Sequence, residues 1–172
     1  MSTEFNVGDK VVYPSYGLGE ILKIESKIIY GIETKMYVIS FNAGKVVLSV
    51  PVQKSHMLRF PISKNEVPKI YDILQQDPDV LKGGIKTNQI YENRINSGDL
   101  ILVAQTARDV YKKINDSAKI STPTYTYNQK RLLDLAVKLI SDEISQTENI
   151  DNKEIRDKIL TILQQGKNLN NA

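Results

Sequence analysis

The sequence predicts an α+β protein: a small N-terminal β-barrel followed by an all-helical C-terminal domain, with a boundary near residue 63 that separates residues 1–63 from 64–172. Three observations carry this prediction. Val7-Gly8-Asp9-Lys10-Val11-Val12-Tyr13-Pro14, followed by Gly17 and Gly19, combines a hairpin start, a short strand and a glycine turn. Further on, Val46, Leu48 and Val50 alternate with Lys45, Val47 and Ser49, the period of a strand with two unlike faces. After Pro61 the apolar spacing changes to that of amphipathic helices.

The strands are expected at Lys10 to Tyr13, Gly19 to Glu25, Met36 to Phe41 and Lys45 to Val50, segments rich in Val, Ile and Tyr. Pro14 ends the first, because its ring fixes φ and it has no N–H to donate. Gly17 and Gly19 can take backbone angles closed to other residues. Tyr30-Gly31 marks a turn, and Asn42-Ala43-Gly44 is a hairpin connection in which Gly supplies a positive φ. Pro51 ends the fourth strand. Short strands joined by tight turns favour a small, highly twisted barrel over an open sheet.

In the second part, Ser63 and Asn65 precede Val67, Ile70, Tyr71 and Leu74 at helical spacing. With Asn65 as N-cap, Pro68 falls in the first turn, where backbone N–H groups have no intrahelical acceptor. Asp77-Pro78 and Gly83-Gly84 break the pattern. A second helix is expected from about Thr87 to Asn96, stopped by Ser97-Gly98, with Asp99 opening the next. In that third helix Leu100, Val103, Ala104, Ala107, Val110, Tyr111 and Ile114 form one stripe, leaving Arg108, Lys112 and Lys113 off it. Ser117 to Tyr125 reads as a loop. Thr126-x-x-Gln129 is a capping box before a helix that runs to about Ser145, and a last helix spans Asn152 to Gln164 ahead of a polar tail expected to fray.

The composition, 41% apolar and 25% charged, is that of an ordinary globular protein. Absence of cysteine excludes disulfides and thiolate metal sites and suits a reducing compartment. No apolar run approaches the about 20 residues that span a bilayer, and Met1 to Val7 lacks the regions of a signal peptide, so a soluble, cytoplasmic protein without membrane contact is expected. The net charge of +3 is modest but uneven: residues 82–138 carry ten basic and five acidic residues, whereas four basic and six acidic residues follow. One anion-facing surface and an ordinary solvated surface both fit this bias.

Catalytic patterns are missing. His56 is the single histidine and sits in a polar stretch, which marks a surface residue and excludes a multi-histidine metal site. Asp77 with Asp79, and Asp142 with Glu143, have spacings that do not aim two carboxylates at one reacting atom, so both pairs read as solvated. Gly17-Leu18-Gly19 lacks the third glycine and the Lys-Ser/Thr of a phosphate loop and precedes a strand instead of a helix. No catalytic residue, metal, cofactor or small-molecule substrate is expected. What remains is surface: an exposed edge at Met36 to Phe41 and Lys45 to Val50 suited to pairing with a partner's strand, and the cations Arg108, Lys112, Lys113, Lys130, Arg131 and Lys138, suited to phosphates or to solubility.

Several motifs in order, Val-Gly-Asp-Lys-Val-Val-Tyr-Pro-x-x-Gly-x-Gly at 7–19, Val50-Pro51-Val52, Leu58-Arg59, Asn96-Ser97-Gly98-Asp99 and Ala107-Arg108-Asp109-Val110-Tyr111, resemble the CarD/CdnL family of bacterial transcription regulators across nearly the whole chain. The resemblance implies a Tudor-like, SH3-like barrel that docks on the RNA polymerase β subunit, partly by sheet-edge pairing. It also implies a helical domain that contacts promoter DNA at the upstream edge of the −10 element and stabilises the open complex, in a protein expected to be monomeric. The docking residues expected on this basis are Lys27, Met36, Val38, Ser40, Lys45, Val47 and Ser49. Lys27 falls where relatives often carry a basic residue, and Ser49 where an arginine is common. The DNA-facing residues expected are Lys86, Arg94, Arg108, Lys112, Lys113, Lys130, Arg131 and Lys138. Many relatives place a tryptophan that wedges at the DNA bubble 14 residues before the glycine of Asn-Ser-Gly-Asp. This chain has no tryptophan and carries Gly84 there, with Lys86 and Thr87 at the arginine positions, so either another residue such as Ile85 substitutes for the wedge or DNA contact is mainly electrostatic, and a protein-only adaptor is the rival reading.

Overall fold

The structure, a computed structural model, describes residues 4–79, 85–118 and 127–166. The chain divides into two compact units, one ending at Pro61 and the other beginning at Ile62. The Gly83-Gly84 break, most of the Ser117 to Tyr125 loop, the Thr126 cap and the tail beyond Gly166 lie outside the described residues.

In the first unit, β1 (Lys10–Tyr13), β2 (Gly17–Ile29), β3 (Ile32–Phe41) and β4 (Val46–Pro51) form an antiparallel meander in chain order. The expected barrel is a curled half-barrel: β1 and β4 do not pair, and Val12 instead exchanges hydrogen bonds with Arg59, whose carbonyl accepts from Val12 N–H at 2.7 Å. Phe5, Val11, Ile21, Tyr37, Ile39, Phe41, Val50 and Leu58 fill the concave side. β1 stops before Pro14 as anticipated. β2 and β3 run further than the apolar pattern suggested, because pairing continues through Ile29↔Ile32 to the two-residue turn Tyr30-Gly31. Both turn residues have positive φ, 51° and 78°, the geometry whose twist matches that of the flanking strands. Lys45 has helical backbone angles and closes the Asn42–Gly44 turn, so β4 starts one residue later than expected. Gly19 is required by close approach: a Cβ there would lie 2.6 Å from Phe41 Cε1 and 2.9 Å from the Ser40 carbonyl oxygen.

The second unit comprises α1 (Val67–Gln75), α2 (Ile85–Ile95), α3 (Leu100–Ala118), α4 (Tyr127–Glu148) and α5 (Asn152–Gln165). α3 packs along α4, α1 against α3 and α5, and α2 against α3 and α4. Their apolar stripes meet in one core that includes Ile70, Leu74, Val103, Val110, Leu132, Ile140, Ile155 and Ile159. Asp99 caps α3 by accepting from Ile101 N–H at 2.9 Å, and Asp151 caps α5 by accepting from Lys153 N–H at 2.9 Å. Asn65 is not the cap of α1. Glu66 occupies that position and its carboxylate accepts from Ser63 N–H at 2.7 Å and from Ser63 Oγ at 2.9 Å, fixing the approach to the helix. α4 passes Ser145 and ends at Glu148, where Asn149 takes a φ of +56° and turns the chain out of the helix.

Glu143 is not solvated, contrary to the sequence reading. It is 3% exposed and accepts from Ile62 N–H at 2.8 Å, while Thr147 Oγ1 donates to the Ile62 carbonyl at 2.9 Å. Both backbone groups of the first residue of the helical unit, which is half-buried, are thereby satisfied by α4 side chains. No helix among the described residues is long and apolar enough to cross a membrane.

Candidate interaction surfaces

Among the described residues the half-barrel leaves one sheet edge open. β1 is tied to Arg59 on its outer side, β2 and β3 are paired on both sides, and β4 is paired only with β3. Along β4 the alternation read from the sequence holds: Val46, Leu48 and Val50 turn inward, while Val47, at 53% exposure, and Ser49 face out. A strand with one free ladder edge and small or apolar outward side chains is a template for an added strand.

β3 is not part of that edge, which corrects the expectation for Met36, Val38 and Ser40. The register places Val38 between Lys23 of β2 and Ser49 of β4, Met36 between Glu25 and Pro51, and Ser40 between Glu20 and Val47. Met36 and Val38 are 5% and 6% exposed and Ser40 is half-buried, so the first two cannot meet a partner without disrupting the sheet. Over them runs a charged strip. Glu25 binds Lys23 at 2.5 Å and Lys27 at 2.9 Å, and Lys27 Nζ reaches across β3 to donate to Ser49 Oγ at 3.2 Å. The two lysine hydrogen bonds hold the Glu25 carboxyl below its ordinary range. Of the seven residues expected for docking, Lys27, Lys45, Val47 and Ser49 are exposed, and all but Lys45 lie on this outer face.

In the helical unit the eight expected cations divide into two groups. Arg108 is 6% exposed, not solvent-facing as the helical stripe suggested. Its Nε donates to Asp109 Oδ1 at 2.8 Å and its Nη2 lies 3.1 Å from Asp79 Oδ2. Arg94 reaches Asp109 Oδ2 at 3.2 Å, and the Asp79 N–H donates to Asp109 Oδ1 at 3.2 Å. Asp109, its side chain 1% exposed, is thus the centre of a buried cluster that fastens α2 and the Asp79 segment to α3. Asp79, its side chain 54% exposed as the sequence reading expected, closes this cluster from the solvent side. Burial, with the Asp109 charge adding, pushes the Tyr91 phenol beside this cluster up. Lys113 sits 5.9 Å from the Tyr91 ring centroid, and Arg131 pairs with Glu92 at 3.5 Å. Arg94, Lys113 and Arg131 therefore hold α2 in place, and Arg108 ties the Asp79 segment to α3.

Lys138 pairs with Asp142 at 2.5 Å, one turn along α4. Lys86 on α2 and Lys130 on α4 are exposed and Lys112 on α3 is half-buried, and none of the three has an ion-pair partner among the described residues. The ion-pair partners Asp79, Glu92 and Asp109 escaped the sequence reading because charge pairs set by helix packing leave no local spacing. Asp79 and Asp109 are 30 residues apart. His56 is exposed as expected, and no cluster among the described residues could hold a metal ion.

Comparison with known proteins adds to this geometry. Residues 5–62 match the family described as CarD-like/TRCF RID domain, and residues 69–160 match the CarD C-terminal domain. A candidate transcription factor of Bacillus subtilis (strain 168), YdeB, is 25% identical over 155 residues, which cover 88% of this chain and 97% of YdeB.

Proposed function

The chain belongs to the CarD-like family of transcription factors, and from that premise we propose that it is a cytoplasmic, monomeric regulator that docks on the RNA polymerase β subunit and contacts promoter DNA. The observation that carries the proposal is the open β4 edge with Val47 and Ser49 outward, in a unit that matches the CarD-like/TRCF RID domain. Backbone hydrogen bonds to an added strand supply affinity, and Val47, Ser49 and the Lys27 ammonium supply register. Docking then raises the local concentration of DNA beside the helical unit, so three lysines without an ion-pair partner among the described residues suffice where a free DNA-binding protein needs more. The corrected DNA surface consists of Lys86, Lys112 and Lys130, with Arg131 at its margin.

A protein-only adaptor is the second reading, and the internal commitment of Arg94, Arg108, Lys113 and Arg131 favours it. One experiment separates the two. The full chain and its Lys86→Glu/Lys112→Glu/Lys130→Glu variant are assembled with polymerase on a promoter fragment and crosslinked. The DNA reading expects the parent to crosslink to DNA and the variant to lose those crosslinks while both co-purify with polymerase; a parent that co-purifies with polymerase yet forms no crosslink to DNA establishes the adaptor reading, and unchanged crosslinks in the variant refute these three lysines as the DNA surface. Val47→Glu/Ser49→Glu is expected to abolish co-purification, and its retention refutes edge docking.

A further inference from the structure

We propose that the free chain pairs with a second copy of itself through the part of β2 that outruns β1, residues 23–29. β1 accompanies β2 only as far as Glu20, and the chain leading into β1 leaves it at Ile21, whose N–H donates to the Asp9 carbonyl at 3.0 Å. β4 in turn accompanies β3 only from Met36 on. Beyond both neighbours the β2–β3 hairpin continues as a two-stranded overhang, and no strand among the described residues flanks 23–29 on the side of β1. On this overhang Ile28 is 79% exposed and Tyr30, in the turn, is fully exposed. An open strand that carries apolar side chains in water is a template for another strand.

The overhang is complementary to itself. An antiparallel copy centred on Ser26 sets Ile24 against Ile28 of the second copy on one face and Glu25 against its Lys27 on the other, and the two-fold axis repeats both pairs. β2 has no register shift between Lys23 and Ile29, so these side chains alternate strictly between the faces. Moving the centre to Glu25 sets that carboxylate against itself and Lys23 against Lys27, and moving it to Lys27 sets that ammonium against itself. Only the Ser26 register pairs apolar with apolar and acid with base. Edge lysines deter strand pairing when they meet no counter-charge, and here Lys27 meets one. Lys27 is also a residue that the docking reading sets against polymerase, so one ammonium serves either partner. On that reading the dimer is the free chain, and the monomer proposed above is the form on polymerase.

The test follows the mass of the full chain by analytical ultracentrifugation across rising concentration, without polymerase, and expects it to move from one chain toward two. Glu25→Lys alone and Lys27→Glu alone set like charges in both cross-strand pairs, and each is expected to weaken the pairing at least about tenfold. Mixed together, the two variants restore opposite charges in both pairs and are expected to form a heterodimer. Ile28→Asp, at a position exposed enough to leave the fold intact, is expected to stay a single chain. A parent of one-chain mass at every concentration overturns the pairing and leaves the overhang to a strand of another protein. Single variants as dimeric as the parent, or a mixture that stays monomeric, overturn it as well. With polymerase added, one copy per complex is expected; two copies overturn the exclusion, and failure to co-purify counts against the docking reading alone.

Discussion

Removing the Asp109 carboxylate is expected to be among the most damaging single changes to the helical unit. Its side chain is 1% exposed and accepts from Arg108 Nε at 2.8 Å, from Arg94 Nη1 at 3.2 Å and from the Asp79 N–H at 3.2 Å. Asp109→Ala leaves the Arg108 guanidinium, 6% exposed, with only the half-exposed Asp79 carboxylate for compensation, and it leaves a backbone donor without its acceptor. Stripping one partner from a buried ion pair costs about 3–5 kcal/mol, a large share of the about 5–15 kcal/mol that a domain of this kind possesses. Arg131→Ala, by contrast, removes a pair whose arginine is 51% exposed and is expected to cost no more than about 1 kcal/mol. Urea unfolding followed by far-ultraviolet circular dichroism reads both as shifts of the midpoint. A loss of less than about 1 kcal/mol in Asp109→Ala refutes the assignment of this cluster as the fastening of α2, and returns Arg94 and Arg108 to the surface as candidate phosphate contacts.

Other expectations follow from single contacts. Gly19→Ala drives a methyl to 2.6 Å from Phe41 Cε1 and 2.9 Å from the Ser40 carbonyl, which is expected to cost about 1–3 kcal/mol and to alter the near-ultraviolet dichroism of the half-barrel; an unchanged unfolding midpoint contradicts the close approach. Burial, with the Glu148 charge adding, pushes the Tyr71 phenol up to about 12 from 10.0. Because the folded state holds that proton more tightly than the unfolded chain, this stability is whole below pH 10 and is lost as pH rises toward 12. Midpoints measured across that range should fall in the parent more steeply than in Tyr71→Phe, and parallel curves contradict it. Glu143→Ala removes the acceptor of the Ile62 N–H and is expected to cost about 1–3 kcal/mol, measured by urea unfolding, with a neutral result placing that N–H against another acceptor.

Much of the secondary structure was legible because it is written locally. Pro14 stops β1, Tyr30-Gly31 makes the hairpin turn, Asp99 caps α3, and the stripe from Leu100 to Val110 faces the core as its spacing demands. The motif matches likewise led to the family without coordinates. The surfaces were less legible. Exposure along β4 followed from alternation, but whether β3 lay at an edge depended on which strands flank it, and the meander order placed it in the middle with Met36 and Val38 buried.

The amino-acid sequence alone determined the two-part α+β organisation, the element types and most of their ends, because period, capping and turn geometry act within a few residues. Only the tertiary structure decided which charges face outward. Arg108 and Lys112 sit four residues apart on α3, yet one is buried against Asp79 and Asp109 while the other has no ion-pair partner among the described residues. That difference arises from α2 and the Asp79 segment packing over one side of α3. A carboxylate distant in the chain, Asp79, helps turn the prospective phosphate ligand Arg108 into a structural ion pair through its position in space, which no local spacing encodes.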